Sequence, residues 1–202
     1  MSKRTTTLRV TVVAIVAALV LAACGGGGGS TSAPIPDDAD YNAVDVGFAQ
    51  GMIPHHGQAV TMSVIAEDRS SDPAVVALAK QIAGAQEAEI EEMTDWLKAR
   101  DRTVPDRDAG MDMDMGEGSG FEGMMMDGML SDDDLQRLEN AEGAEFDELY
   151  LEFMLQHHEG AIDMAEAERE GGKNAQLKDL AQRIIDTQQA EIEEINALLD
   201  KR

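Results

Sequence analysis

The chain has four histidines, and they stand as two adjacent pairs, His55-His56 and His157-His158. A neutral imidazole nitrogen binds copper, zinc, nickel and iron alike, so the residue type points to a transition metal without choosing one. Each pair's first histidine follows a methionine by three residues (Met52, Met154) and precedes another by seven (Met62, Met164). On a regular helix two adjacent side chains diverge by about 100°, so neither pair chelates one ion alone. A second helix, or the trailing methionine, has to complete a site. The alternative is that these are core histidines bonded to neighbours, the better account of a single histidine on an apolar face. Two adjacent histidines, duplicated in register, bury more polar surface than a bundle needs, which favours a metal. Met52, Met62, Met154 and Met164 lie on apolar stripes, where methionine is core filler first and thioether ligand second.

The duplication extends well beyond the histidines. Shifted by 102 residues, Val44 to Leu97 aligns without gaps on Phe146 to Leu199, placing Asp45 on Asp147, Phe48 on Tyr150, Met52 on Met154 and Met62 on Met164. Gln86 falls on Gln188, and Ala88-Glu89-Ile90-Glu91-Glu92 recurs identically at Ala190 to Glu194. Apolar residues recur at three and four positions and nowhere alternate, so each copy predicts two amphipathic helices. The first copy has stripes Val44, Phe48, Met52, His55, Ala59, Met62, Ala66 and, after a turn at Ser70 to Asp72, Val75, Ala79, Ile82, Gln86, Ile90, Met93, Leu97. Asp72-Pro73 is a helix start. In the second copy the stripes run Phe146 to Met164 and Leu177 to Leu198, with the turn at Gly171-Gly172. His55 and His157 fall on the stripes, and His56 and His158 are turned toward the flanks. Gln86 and Gln188 stand where an apolar residue is expected; each calls for a polar partner, either a histidine ring or a neighbouring backbone. Ser131 and Asp134 predict a capping box on a short extra helix, which Gly143 ends or bends. Long amphipathic helices joined by short turns predict an all-α four-helix bundle of two duplicated hairpins. If the hairpins pack about an approximate twofold axis, the histidine pairs face each other.

Between the copies lies a segment of another kind. Met111, Met113, Met115, Met124, Met125, Met126 and Met129 sit among glycines and acids, and glycine at that density argues against a helix. Thioethers are soft, neutral donors that favour Cu(I) over harder ions. The alternatives are a linker of biased composition or a sink for oxidants.

The first 23 residues run from Lys3, Arg4 and Arg9 through an apolar stretch to Leu21-Ala22-Ala23, directly before Cys24. That is an export signal. Its junction resembles the bacterial lipobox, in which the cysteine is acylated; the glycines that follow form a flexible tether. An ordinary signal peptide with an incidental cysteine is the alternative. Cys24 is the only cysteine, so no internal disulfide forms and any soft sulfur ligand must be methionine. The formal charge is −24, and removing a leader with three basic and no acidic residues makes the remainder more negative still. Such a surface repels phosphate backbones and, with 3% aromatic residues, offers bases little to stack on, which argues against a nucleic-acid partner. It attracts cations, although acidic surfaces also serve solubility.

The segments FAQGMIPHHGQAVTMS and FMLQHHEGAIDMAEAE, each followed by a helix with AEIEE, resemble the bacterial domain of unknown function 305 family from about Asp40 to the C-terminus. The resemblance implies a ferritin-like four-helix fold, export or lipid anchoring, and for some members copper binding. Its motif positions here are His55, His56, Met62, His157, His158 and Met164, with Asp45 and Asp147 as motif acids of unclear role. Together these readings divide the chain into a leader (1–23), a lipidated Cys24 with its tether (24–40) and a duplicated domain (41–202). The domain comprises copy one (41–100), the Met-rich linker (101–130) and copy two (131–202). The expected function is extracytoplasmic capture, buffering or resistance to copper, as Cu(I) or Cu(II), with another transition metal possible and with an unidentified metal-transfer protein as a partner. Gln86, Gln188, Asp45 and Asp147 are candidates for groups supporting the ligands. A metal-free structural or interaction lipoprotein is the alternative. A ferritin-like redox enzyme ranks below both, because the di-iron motif Glu-x-x-His is absent: Met52, Ile53, Met154 and Leu155 stand three residues before the histidines, so no catalytic residue is assigned. The leader reading makes one prediction: Cys24→Ser shifts the protein from the membrane to the soluble fraction in a host that processes lipoproteins, and unchanged membrane partition refutes the anchor.

Overall fold

A computed structural model describes residues 34–108 and 127–202. The leader, Cys24 and the methionines from Met111 to Met126 lie outside the described residues. Within them the chain is all-helical: α1 (Ala43–Arg69), α2 (Pro73–Lys98), α3 (Asp132–Asn140), α4 (Gly143–Gly171) and α5 (Ala175–Leu199). No described helix is long and apolar enough to cross a membrane.

Helix starts follow local chemistry. Asn42 and Asp45 form a reciprocal capping box on α1, Asp72 caps α2 just before Pro73, and Asn174 accepts from Leu177 N–H on α5. Ser131 caps α3 as expected, but the Asp134 carboxylate accepts from the Ser131 hydroxyl. Gly143 has a different role from the expected one. The short helix stops at Asn140, and Gly143, at φ 59°, opens α4. Only glycine adopts that conformation without strain. The second turn also moves: Gly171 is still helical, and the chain reverses over Gly172 to Asn174.

α1 packs on α2 and α4 on α5 as hairpins, and α1 lies antiparallel to α4. Asn42, at the start of α1, donates its side-chain amide to the Gly171 carbonyl at the end of α4. The motif acids make this crossing reciprocal. Asp45 accepts from the backbone N–H groups of Lys173 and Asn174 in the α4–α5 turn. Asp147 accepts from the Ser70 hydroxyl at 2.5 Å, in the α1–α2 turn, and from Arg202 at 3.2 Å. Each copy's aspartate thereby clasps the other copy's turn.

The core divides into two apolar halves. One gathers Phe48, Met52, Met93, Met164 and Ile184; the other gathers Met62, Leu78, Phe146, Tyr150 and Met154. Each such fully buried side chain stabilises the fold by roughly 1.5–3 kcal/mol. Antiparallel packing of α1 on α4 mixes the copies, so Met52 shares a half-core with Met164, and Met62 with Met154. The histidines lie between the halves.

The middle of α1 is not amphipathic. Gly51 to Gly57 are all buried, because the start of the linker lies across the face that periodicity assigns to solvent. A Cβ on Gly57 would run into the Arg107 carbonyl, and one on Gly160 into the Asp127 carbonyl, so both described ends of the linker rest on glycine seats. Gln58 secures the second end, donating to the Leu130 carbonyl and accepting from its N–H.

At the α4–α5 turn, Glu168 is fully buried beside Asp45. Burial, and then the neighbouring Asp45 carboxylate, push its carboxyl up to about 9. The folded state therefore holds a proton that the unfolded chain releases above its ordinary pKa of 4.5. This contribution is complete below pH 4.5 and is lost as pH rises toward 9. Glu168→Gln, which mimics the protonated acid, is expected to be more stable than the parent at pH 8 and to show a flatter decline in urea midpoint between pH 5 and 9. Parallel profiles for the two proteins would refute the buried proton.

Candidate metal centre

α1 and α4 bring the two histidine pairs face to face. The rings of His55 and His157 lie 3.9 Å apart between centroids, tilted by 45°, and all four histidines are fully buried. His56 and His158, placed on the flanks by periodicity, turn toward the outer helices. His56 Nε2 meets Glu89 Oε2 of α2 at 2.8 Å, and His158 Nε2 meets Glu191 Oε2 of α5 at 2.8 Å. His55 Nε2 lies 3.2 Å from the Asp127 carbonyl, at the described end of the linker. The rest of the layer is unpaired. Nδ1 of all four rings, Nε2 of His157 and both amide atoms of Gln86 and Gln188 are buried without a hydrogen-bond partner among the described residues.

Glu89 and Glu191 are the residues that the sequence reading did not select. The signal was present in the identical AEIEE segments, but a helical acid in an acidic chain reads as solvated. Gln86 and Gln188 lie one turn before these glutamates on the same faces and are buried in the layer; neither amide bonds a histidine ring, contrary to the expected polar contact. Asp45 and Asp147 stand ten residues before the histidines, about 15 Å along the helix, and support the hairpin turns rather than the rings. Met62 and Met164 are buried two turns beyond the histidines, about 10 Å away along the helix axis, whereas Met52 and Met154 are one turn away. Met129 is half-buried beside Leu130; Met111, Met113, Met115, Met124, Met125 and Met126 lie outside the described residues.

Burial, then the neighbouring imidazole of His56, holds His55 down at about 3. Burial, then His55 and His158, keeps His157 well below 6.5. Both rings are therefore neutral at neutral pH and keep a free lone pair, the form a metal requires. A set of imidazoles, carboxylates and amides, with thioethers one turn away, matches a borderline or soft cation. Among the described residues no three or more His, Cys, Asp or Glu side chains are arranged to hold an ion, so the donors are gathered but not organised as a coordination sphere.

The family model of DUF305, a domain of unknown function, matches residues 45–199. A DUF305 crystal structure from Streptomyces coelicolor is 33% identical, covers 78% of this chain and 93% of its own, and superposes with a TM-score of 0.69. CopM in its Cu(II)-bound form is 28% identical, with coverage of 78% and 96% and a TM-score of 0.63; CopM in its Cu(I)-bound form is 27% identical, with the same coverage and a TM-score of 0.61. An uncharacterized protein of Acanthamoeba polyphaga mimivirus is 43% identical over 56 residues, 28% of this chain; the match spans 37% of that curated relative's length.

The depressed histidines make a stability prediction with a definite sign. Below pH 6.5 the unfolded chain takes up protons that the folded layer refuses until about pH 3, so stability is complete above 6.5 and declines as pH falls. Metal-free His55→Leu/His157→Leu protein is expected to lose most of this acid-side slope. It is also expected to gain about 1–3 kcal/mol at pH 7, because unpaired polar atoms leave the core. Urea unfolding of both proteins at pH 4 to 7 measures this, and a double variant less stable than its parent at pH 7 contradicts it.

Proposed function

Because the chain belongs to the DUF305 family, we propose that it captures and buffers copper outside the cytoplasmic membrane, held there by a lipid on Cys24, with the histidine layer as its folded site. The observation that carries this reading is the layer itself: four histidines, Glu191 and two glutamines, buried between the half-cores and joined by the partly exposed Glu89, with many polar atoms lacking partners. Unpaired buried polar atoms cost stability, and a bound cation would recover that cost by engaging their lone pairs. CopM, of similar fold and sequence, has been solved with Cu(I) and Cu(II), which supports copper over the other metals that imidazole accepts. The leader supports export, as does the Streptomyces relative, described as secreted.

When bound, copper would draw on the imidazoles first, with the thioethers of Met52 and Met154 nearest at hand for Cu(I). The methionines from Met111 to Met126, in the segment between Asp108 and Asp127, would add a soft capture site that feeds it. No turnover is required, and we assign no enzymatic role. A metal-free interaction lipoprotein is the competing reading, favoured by the lack of a formed ion site among the described residues.

The two are separated by metal analysis of the full chain, exported to an oxidising compartment and purified without chelators, followed by Cu(I) and Cu(II) competition titrations. Copper is expected to be retained. His157→Ala/His158→Ala is expected to weaken binding by at least about tenfold, because both copies contribute to one layer. Absence of metal after purification, with titrations identical for parent and variant, would establish the metal-free reading.

A further inference from the structure

The three hydrogen-bond contacts of the histidine layer share one atom type: His55, His56 and His158 each engage a partner through Nε2. The partners are a main-chain carbonyl and two carboxylates, all of which accept hydrogen bonds, so the Nε2 atoms facing them carry hydrogen. The same three rings have Nδ1 buried and unpartnered. In the neutral form of each ring Nδ1 is thus the bare lone pair.

We infer that Glu89 and Glu191 are positioning residues that hold His56 and His158 as Nε2–H tautomers, so that the layer presents Nδ1 to a transition-metal ion. The inference rests on the metal reading of the layer and deepens it by naming the ligand atoms and the groups that select them. Recurrence supports it. Glu89 and Glu191 occupy the same position of the repeat, on α2 and α5, and each meets the second histidine of the pair on its own hairpin partner at the same distance. These are not surface contacts: the glutamate side chains are 15% and 2% exposed and the histidines 0%. Histidine ligands in metal sites commonly donate their second N–H to a carboxylate or carbonyl, which fixes the ring and raises the basicity of the ligating nitrogen. Here the Asp127 carbonyl does the same for His55, so the described end of the linker takes part in presenting that ring.

The two dyads differ in access. Glu191 is sealed and also accepts from Gln81 of α2 at 3.3 Å, whereas Glu89 keeps a solvent-facing edge.

The test uses the full chain in detergent, with 15N-labelled histidine, and two-bond 15N–1H spectra that distinguish the tautomers before any metal is added. Nε2–H patterns are expected for His56 and His158. Glu89→Leu and Glu191→Leu are expected to give mixed tautomers, each at its own histidine only, while Glu89→Gln and Glu191→Gln, which keep an acceptor oxygen, retain the parent pattern. An Nδ1–H pattern at either histidine of the parent overturns the inference, as does a Leu variant that folds and leaves the tautomer unchanged. The parent spectrum decides the matter even if a Leu variant does not fold. Diamagnetic Ag(I), standing in for Cu(I), is then expected to shift Nδ1 and not Nε2 of these rings. Each Leu variant is expected to weaken Ag(I) binding about 10- to 100-fold, and each Gln variant less. A shift at Nε2 overturns the ligand assignment. No shift at any histidine, with the Nε2–H tautomers in place, refutes the copper reading and the Nδ1 ligation built on it, while the role of the two glutamates in fixing the tautomers stands on the metal-free spectra.

Discussion

A polar layer across the middle of an apolar bundle is the constraint that the rest of the molecule accommodates. Four imidazoles, the Glu191 carboxylate and two primary amides are taken out of water there, and several of their atoms receive no hydrogen bond in return. Desolvation of this kind opposes folding, and the four long helices offset it with two dry half-cores above and below. It also depresses the pKa values of His55 and His157, because a charged imidazole would be costlier to bury than a neutral one. The same cost that weakens the fold keeps the rings in the form that binds a cation. Stability and ligand readiness are therefore opposed in this layer, a common relation at functional sites.

The approximate twofold arrangement lets one repeat solve the problem twice. Asp45 and Asp147 each reach across to the opposite hairpin's turn, which fixes the offset of α1 against α4 and with it the meeting of the two histidine pairs at mid-length. The copies then diverge where their surroundings differ. Copy one has Pro54 directly before its histidines, which removes a main-chain donor from α1 at the site, whereas copy two has Gln156 there. Copy two alone has a buried glutamate, Glu168, beside the clasping aspartate, and its dyad carboxylate, Glu191, is the more deeply buried of the pair. Duplication thus gives the layer its composition, and divergence gives it an inner and an outer side.

The described ends of the linker also lie against the helices that carry the site. Gly57 and Gly160 lack the Cβ that would hold the chain away, so the Arg107 and Asp127 carbonyls approach the helix backbones closely, and one of them reaches His55. Glycine on the outer face of a helix costs helix propensity, and here that cost permits a main-chain contact with the layer.

Much of this was legible in the sequence. The four long helices, the hairpin turns at Ser70 and near Gly172, and the Asp72-Pro73 start follow from apolar spacing and capping chemistry, both local properties. The in-register repeat carried the argument further, since equivalent histidines at mid-helix must meet if two like hairpins pack antiparallel. Tertiary structure alone decided what each side chain meets. Periodicity assigns Glu89 and Glu191 to solvent, Gln86 and Gln188 to a polar contact, and Asp45 and Asp147 to no definite role, because it reports a residue's angle about its own helix and nothing about the neighbour. The choice of Nε2 as donor, the seating of the linker's described ends on two glycines, and the clasp between opposite turns arise only when α1, α2, α4 and α5 are brought together. They depend on distances between helices, which no spacing within one helix encodes.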